Sequence, residues 1–224
     1  MKTPTPHPKS EGFEWRRLNG PFRRLTHAQA EQFDEEGWFG LADAFDADEM
    51  DRVAAAIDPF EQKVEAYLRG LEGGRMFIAK ADAITFTTHL VAKSEALRSF
   101  ARHPVFQDLC ADIIGPRARL YWDQAVYKKP GNPEEFPWHQ DNGYTYIEPQ
   151  QYLTCWLALN DATSANGCPC VAPGMHKGGT LSHWPTPNGF ACLEKPERVI
   201  EAPVRKGSMV VFSSLTPHRT GPNL

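Results

Sequence analysis

The chain is poor in the features that mark several large protein classes. Its 224 residues include five cysteines, an odd number at irregular spacing, which is neither a disulfide framework nor a zinc ribbon. Cys168-Pro169-Cys170 is the one close pair, and without a second pair it reads as structural. No apolar run approaches the roughly 20 residues that span a bilayer. The opening residues Met1-Lys2-Thr3-Pro4-Thr5-Pro6-His7-Pro8 lack the apolar core of a secretory signal. Basic residues are outnumbered, 24 Lys and Arg against 28 Asp and Glu, and no basic stripe offers itself to nucleic acid. Internal repeats and long low-complexity stretches are missing too. The expectation is a soluble, cytoplasmic protein with no nucleic-acid or membrane partner. Its 41% hydrophobic content suffices for a substantial core.

Taken in order, residues 1–12 are polar and proline-rich and are expected to form a mobile tail. A single domain is expected over 13–224. Thr26 reads as the N-cap of a short helix, His27 to Glu36, ended by Gly37. Trp38 to Leu41 reads as a short strand. Asp46-Ala47-Asp48-Glu49 opens a second helix with acids in its first turn, where they complement the helix dipole. Met50, Val53, Ile57, Val64, Tyr67, Leu68 and Leu71 recur at helical spacing, with Pro59 expected to bend or split the run and Gly73-Gly74 to stop it. Leu90 to Phe100 and Val105 to Ile114 read as two further amphipathic helices.

The second half changes character. Ala118 to Lys128 reads as a long strand, and Tyr152 to Leu159, Cys168 to Ala172, Arg198 to Val204 and Ser208 to Phe212 as shorter ones, separated by Gly and Pro turns such as Pro130-Gly131-Asn132-Pro133. Short strands of this kind suggest a β-sandwich or barrel. Helices first and strands after predict an α+β domain, mainly β in its core, with N-terminal helices buttressing a jelly roll.

One stretch carries chemistry: Pro137-Trp138-His139-Gln140-Asp141-Asn142. In an extended strand, positions i and i+2 share a face, so His139 and Asp141 project together. His218, far downstream in Leu215-Thr216-Pro217-His218-Arg219-Thr220, is the best third partner. Two histidines and a carboxylate on one side of a metal leave its other positions open, the arrangement of non-haem iron(II) oxygenases. His176 and His183 are further histidines within reach of such a site. Tyr121, Trp122, Phe136, Trp138, Tyr144 and Tyr146 can line a pocket or fill a core. Lys128 and Lys129 read as solvated charges or as attractors of an anionic substrate.

The ordered set Trp138-His139-Gln140-Asp141, Trp156-Leu157-Ala158-Leu159, Asn166-Gly167-Cys168, Val171-Ala172-Pro173-Gly174-Met175-His176-Lys177, Lys206-Gly207-Ser208-Met209-Val210-Val211-Phe212 and His218-Arg219-Thr220-Gly221-Pro222-Asn223 resembles the phytanoyl-CoA dioxygenase family of iron(II)/2-oxoglutarate-dependent oxygenases. The resemblance covers roughly residues 27 to 224. It implies a double-stranded β-helix, the cupin-like form of the jelly roll, with the site at one open end. It implies iron, 2-oxoglutarate and O2 as cofactors and cosubstrates, and His139, Asp141 and His218 as the iron ligands. Thr220 would hydrogen-bond the cosubstrate carboxylate and Trp156 would line its pocket, with Gln124 and Tyr127 as further contacts. Tyr144 and Trp138 are the expected substrate contacts. His176 matches a turn histidine that is not a ligand. The implied reaction hydroxylates an aliphatic C–H of a small molecule while 2-oxoglutarate becomes succinate and CO2. Asp141 argues against the related halogenases, in which a small residue replaces the carboxylate.

Such proteins usually carry an arginine about ten residues beyond the last histidine, pairing with the far carboxylate of 2-oxoglutarate. The sequence ends at Leu224, so the reading is a truncated C-terminus, lacking a final strand, or another cation in that role. Arg219 should point away from His218. The competing readings are a cupin-like metal enzyme without redox chemistry, holding zinc or manganese in the same triad, and a non-catalytic metal- or ligand-binding protein of this fold.

Overall fold

The computed structural model describes residues 2–224. Helix α1 (His27–Glu36) starts where Thr26 closes a capping box with Gln29 and ends on Gly37 at φ 83°, a left-handed turn that glycine adopts without strain. Strand β1 (Trp38–Leu41) follows. Helix α2 (Ala47–Arg69) is capped by the Asp46 side chain and runs through Pro59 without a break, ending at Gly70. The expected split at Pro59 and stop at Gly73-Gly74 are therefore corrected. Tyr67, one of the residues recurring at helical spacing, is 57% exposed. What holds α2 is polar as well as apolar: buried Glu61 accepts from Thr85 Oγ1 (3.0 Å) and Lys129 Nζ (2.7 Å), and Glu65 accepts from the backbone of Asp82 at 2.9 Å.

Strands β2 (Arg75–Met76), β3 (Ala79–Lys80) and β4 (Ile84–Thr88) come next. They lie in a stretch that sequence reasoning left without strands. The helix expected over Leu90 to Phe100 is two, α3 (Leu90–Lys93) and α4 (Glu95–Phe100). Ser94 interrupts them with extended backbone and caps the second. Helix α5 (Pro104–Ile113) follows. The long strand expected from Ala118 shrinks to β5 (Gln124–Lys128). Leu120, Tyr121 and Trp122 before it are irregular and about half exposed (59%, 52% and 48%).

Beyond a short helical turn, α6 (Asp141–Tyr144), lie β6 (Leu153–Leu157), β7 (Pro169–Val171), the hairpin β8 (Trp184–Thr186) and β9 (Gly189–Ala191), then β10 (Ile200–Glu201), β11 (Met209–Ser213) and β12 (His218–Thr220). The sheets are β1-β11-β6, β10-β7-β12, β2-β3-β4-β5 and the hairpin β8-β9, with antiparallel pairing throughout. This is the α+β fold with a β core that the element order predicts.

Sheet β1-β11-β6 is apolar on both faces, which is why Met209-Val210-Val211-Phe212 reads as an unbroken hydrophobic run. Phe39, Leu41, Met209, Val211, Leu153, Cys155 and Leu157 pack on the helical layer. Trp38, Trp156, Val210 and Phe212 project from the other face and pack with Ala202 and Val204 of the facing side. The space between the sheets is the barrel interior.

Residues 2–12, expected to be mobile, are instead docked. Pro6 bridges Leu181, His7 N donates to Thr180 O at 2.8 Å, and Ser10 is buried with its hydroxyl on Gln150 Oε1 at 3.0 Å. A rigid scaffold for one turn, Leu215–Pro217, comes from Gly37, whose carbonyl accepts from Ser213 N (2.9 Å) and Thr216 Oγ1 (2.7 Å). A Cβ on Gly37 would lie 2.4 Å from Thr216 Oγ1 and 2.6 Å from His176 Nδ1. Gly37→Ala is therefore expected to cost about 2–4 kcal/mol, from the left-handed backbone and the overlap together, and to weaken metal binding through the turn before His218. Thr26→Ala should cost only about 1 kcal/mol, the price of a lost cap, and leave metal affinity unchanged. Urea unfolding and metal titration of both variants check this.

Candidate metal centre

His139 and His218 are brought together by backbone pairing. His139 N donates to His218 O at 3.0 Å and His218 N donates to His139 O at 2.9 Å. The two residues thus form a hydrogen-bonded antiparallel pair, in which Cα atoms lie about 5.5 Å apart and side chains share a face. Their rings are 4.2 Å apart between centroids. Asp141 completes the set, with Oδ1 3.7 Å from His218 Nε2. Ligand atoms from His139, Asp141 and His218 all lie within 4.8 Å of one another.

The expectation of Asp141 on a strand is corrected. Only His139 is bridged, and Asp141 opens α6. Gly143 N closes the turn on Gln140 O at 3.0 Å. The turn still aims the carboxylate at the two imidazoles, because its neighbours are pinned on the opposite side. The buried Gln140 amide donates to Gly179 O (3.0 Å) and Leu215 O (2.6 Å) and accepts from Leu181 N (2.6 Å). Asn142 Nδ2 donates to Thr180 Oγ1 at 2.7 Å. His183 Nε2 accepts from Gln140 N at 3.0 Å. A Cβ on Gly143 would sit 1.9 Å from the His183 ring, so this close approach requires glycine.

The donor set fits a divalent transition metal. His139 Nδ1 donates to Pro137 O at 2.9 Å and His218 Nδ1 to Thr216 O at 3.0 Å. Each Nδ1 thus carries a proton, and each Nε2 is free to ligate. Burial, with His218 beside it, pushes the His139 pKa well below the usual histidine range, which keeps that imidazole neutral. Thr154 Oγ1 donates to Asp141 Oδ2 at 2.6 Å, orienting the carboxylate while leaving Oδ1 toward His218. Phe212 packs its ring 4.3 Å from that of His218.

The other expected residues separate. Tyr144 stands beside the cluster, its ring 5.2 Å from that of His139 and its hydroxyl accepting from Phe190 N at 3.2 Å. Trp156 shares an interior face with Thr154, two residues deeper along β6. Gln124 is exposed and accepts from Trp122 Nε1 at 3.1 Å. Thr220 follows His218 on the same face of β12. Two expectations are corrected. Trp138 alternates away from His139 into a buried cluster with Cys170, Leu181 and Cys192, under the Arg219 guanidinium at 5.4 Å. Tyr127 faces the helical layer and donates to Asp58 Oδ1 at 2.6 Å. Arg219 points outward to Glu135, as strand alternation predicts. His176 bonds Asp34 O at 3.2 Å, outside the cluster. Thr154, two residues before Trp156 on β6, and Tyr152, just ahead of that strand, are absent from the expected set, although their spacing of two with Trp156 signals a shared face. Tyr152 lies in the field of Asp141, and burial followed by that charge raises its pKa. A surface depression of about 460 Å³ lined by residues such as Asp43, Asp46, Asp161, Arg205 and Lys206 lies apart from the cluster.

Two histidines and one carboxylate, with both imidazole Nδ1–H groups bonded to backbone carbonyls, form a donor set of the mononuclear non-haem iron-oxygenase kind. The comparisons with known proteins place it further. Residues 33–224 match the model of the phytanoyl-CoA dioxygenase (PhyH) family. Phytanoyl-CoA dioxygenase 1 of Oryza sativa subsp. japonica is 25% identical over 244 residues, covering 91% of this chain and 86% of its own. Methylphosphonate hydroxylase of Gimesia maris is 30% identical over 140 residues, 61% of this chain and 52% of its own. The chain spans little more than half the length of several of the curated relatives it matches. Among solved structures, the non-haem alpha-ketoglutarate-dependent carbocyclase SnoK superposes with a TM-score of 0.70 at 20% identity, over 92% of this chain and 82% of that one. The chain belongs to the phytanoyl-CoA dioxygenase family of iron(II)/2-oxoglutarate-dependent oxygenases.

Replacing His139 or Asp141 by Ala is expected to abolish iron(II) binding measured by anaerobic calorimetry; retention of binding in either variant would refute the ligand assignment. Thr154→Val should weaken iron binding by about 10–100-fold with unfolding free energy little changed.

Proposed function

We propose that the chain is an iron(II)- and 2-oxoglutarate-dependent oxygenase that hydroxylates an aliphatic C–H bond of a small-molecule substrate. The overall reaction balances as substrate C–H, 2-oxoglutarate and O2 giving substrate C–OH, succinate and CO2. The observation that carries this reading is the cluster of His139, Asp141 and His218, with both imidazole Nδ1–H groups tied to backbone carbonyls. Iron(II) held there supplies activation of dioxygen coupled to oxidation of the oxo acid.

The chain's own residues prepare that chemistry. His139 and His218 present their Nε2 atoms as nitrogen donors, and Asp141 contributes a carboxylate oxygen. Thr154 prevents the carboxylate from rotating, which keeps its ligand oxygen on the open side. Phe212 and Trp156 keep the interior floor apolar. Tyr144 and Tyr152 flank the cluster and suit the positioning of a substrate carbon. Tyr121 packs edge-on against Tyr152 at 6.2 Å, which extends the aromatic surface toward solvent. Asp141 supports hydroxylation over halogenation, because its carboxylate occupies the position that a halide would need. All five cysteines are free thiols, in keeping with a reducing cytoplasm, and no helix of the described residues is long and apolar enough to cross a membrane.

The protein loaded with iron(II) and 2-oxoglutarate under argon is expected to develop a weak visible charge-transfer band. Admission of O2 should then release succinate even without substrate. A zinc or manganese enzyme without redox chemistry gives no succinate, and a binding protein gives metal uptake with neither band nor product.

A further inference from the structure

On the reading just given, we propose that Lys128 is a binding residue for the distal carboxylate of 2-oxoglutarate, acting with Thr220. Lys128 lies on β5 with the parity of Gln124 and Val126, opposite to that of Ala125 and Tyr127, which pack on the helical layer. Gln124 and Val126 on that face are exposed, and it is the contacts of its ammonium that carry the Lys128 side chain across to β12. Nζ donates to Thr220 Oγ1 at 3.1 Å and to the Gly221 carbonyl, and sits 5.2 Å from the centre of the Phe136 ring.

The group is a cation without an anion. Among the described residues Lys128 makes no ion pair with a carboxylate, and the two nearest acids are engaged elsewhere. Glu134 pairs with Lys80 (3.2 Å) and Arg75 (3.5 Å), and Glu135 pairs with Arg219. Burial accordingly lowers the ammonium to a pKa of about 8, against weaker opposing effects of Glu135, Cys170 and Glu134. Keeping an unpaired ammonium in such a place is costly unless a negative ligand arrives.

The position suits one end of a five-carbon diacid. Thr220 shares the face of His218 two residues along β12, about 6.6–6.8 Å away. An oxo acid held at the His139, Asp141 and His218 cluster and extending along β12 toward Thr220 would bring its far carboxylate to this point. Thr220 already accepts from Lys128, so its own hydroxyl proton is free to donate. The two groups then offer one charged and one neutral hydrogen bond to the same carboxylate. Lys129, one residue on, points the other way, to Glu61.

The test is equilibrium binding to the iron(II)-loaded protein under argon, by calorimetry, of 2-oxoglutarate and of 2-oxopentanoate, the same oxo acid without the distal carboxylate. Wild type should prefer 2-oxoglutarate. Lys128→Met should weaken 2-oxoglutarate by about 10–100-fold, the range for a hydrogen bond to a charged group. It should leave iron and 2-oxopentanoate affinities unchanged, which also reports an intact site. Lys128→Arg should restore most of the preference. Unchanged 2-oxoglutarate affinity in Lys128→Met, or equal loss of both oxo acids, overturns the assignment of Lys128. Failure of wild type to bind either oxo acid overturns the oxygenase reading beneath it.

Discussion

Two backbone hydrogen bonds between His139 and His218 are the constraint on which the rest of the site depends. They turn a large separation in sequence into direct opposition across a strand pair. No other pairing register would do so: a slip by one residue would send one imidazole to the outer face, where Trp138 and Arg219 lie. The register is held from several sides. β12 is paired with β7 along its other edge, and the turn before it is seated on Gly37 and the Gln140 side chain.

Around that pair the motif keeps two sides, by strand alternation up to His139 and by the α6 turn beyond it. His139 and Asp141 face the interior, while Trp138, Gln140 and Asn142 are spent on holding the chain. The outward side is mainly polar and hydrogen-bonded. Gln140, Asn142, Thr180 and Gln150 form a buried network in which Gln150 Oε1 alone accepts from Ser10, Thr180 N and Thr180 Oγ1. Buried amides held by several hydrogen bonds are rigid, since a displacement leaves polar groups unsatisfied. The inward side is different in kind. Phe212, Trp156 and Val210 supply shape and dryness, with Thr154 and Lys128 as isolated polar points. Rigidity thus comes from one face of the motif and chemistry from the other.

The sequence reveals what local physics governs and hides what tertiary contacts govern. The cap at Thr26, the stop at Gly37 and the apolar strand over Met209 to Phe212 follow from propensity and pattern, and the structure has each of them. The metal-ligand triad was legible because spacing of two residues and a distant histidine are chemical signals. Pro59 misled because burial of Glu61 and Glu65 against β4 and its neighbours outweighs one missing helix hydrogen bond. Tyr121 and Trp122 misled because aromatic strand-like composition also describes an irregular, half-exposed segment packed on Tyr152 and His89. Trp138 and Tyr127 were placed by residue type, whereas face parity decides. Strands β2 and β3 were missed because each has two residues, and β4 because it finds its partner only through the sheet. Lys128 looked like a solvated charge because nothing in its immediate sequence shows that its ammonium reaches across to β12.

The segment that bridges Leu181 and buries Ser10 lies outside the stretch matched by the family model. Through Ser10, Gln150, Thr180 and Asn142 it is joined by hydrogen bonds to the residue next to Asp141. The cooperative unit of this protein is consequently longer than its family signature. A fragment trimmed to that signature would retain every ligand and yet lose part of the brace that keeps the carboxylate aimed.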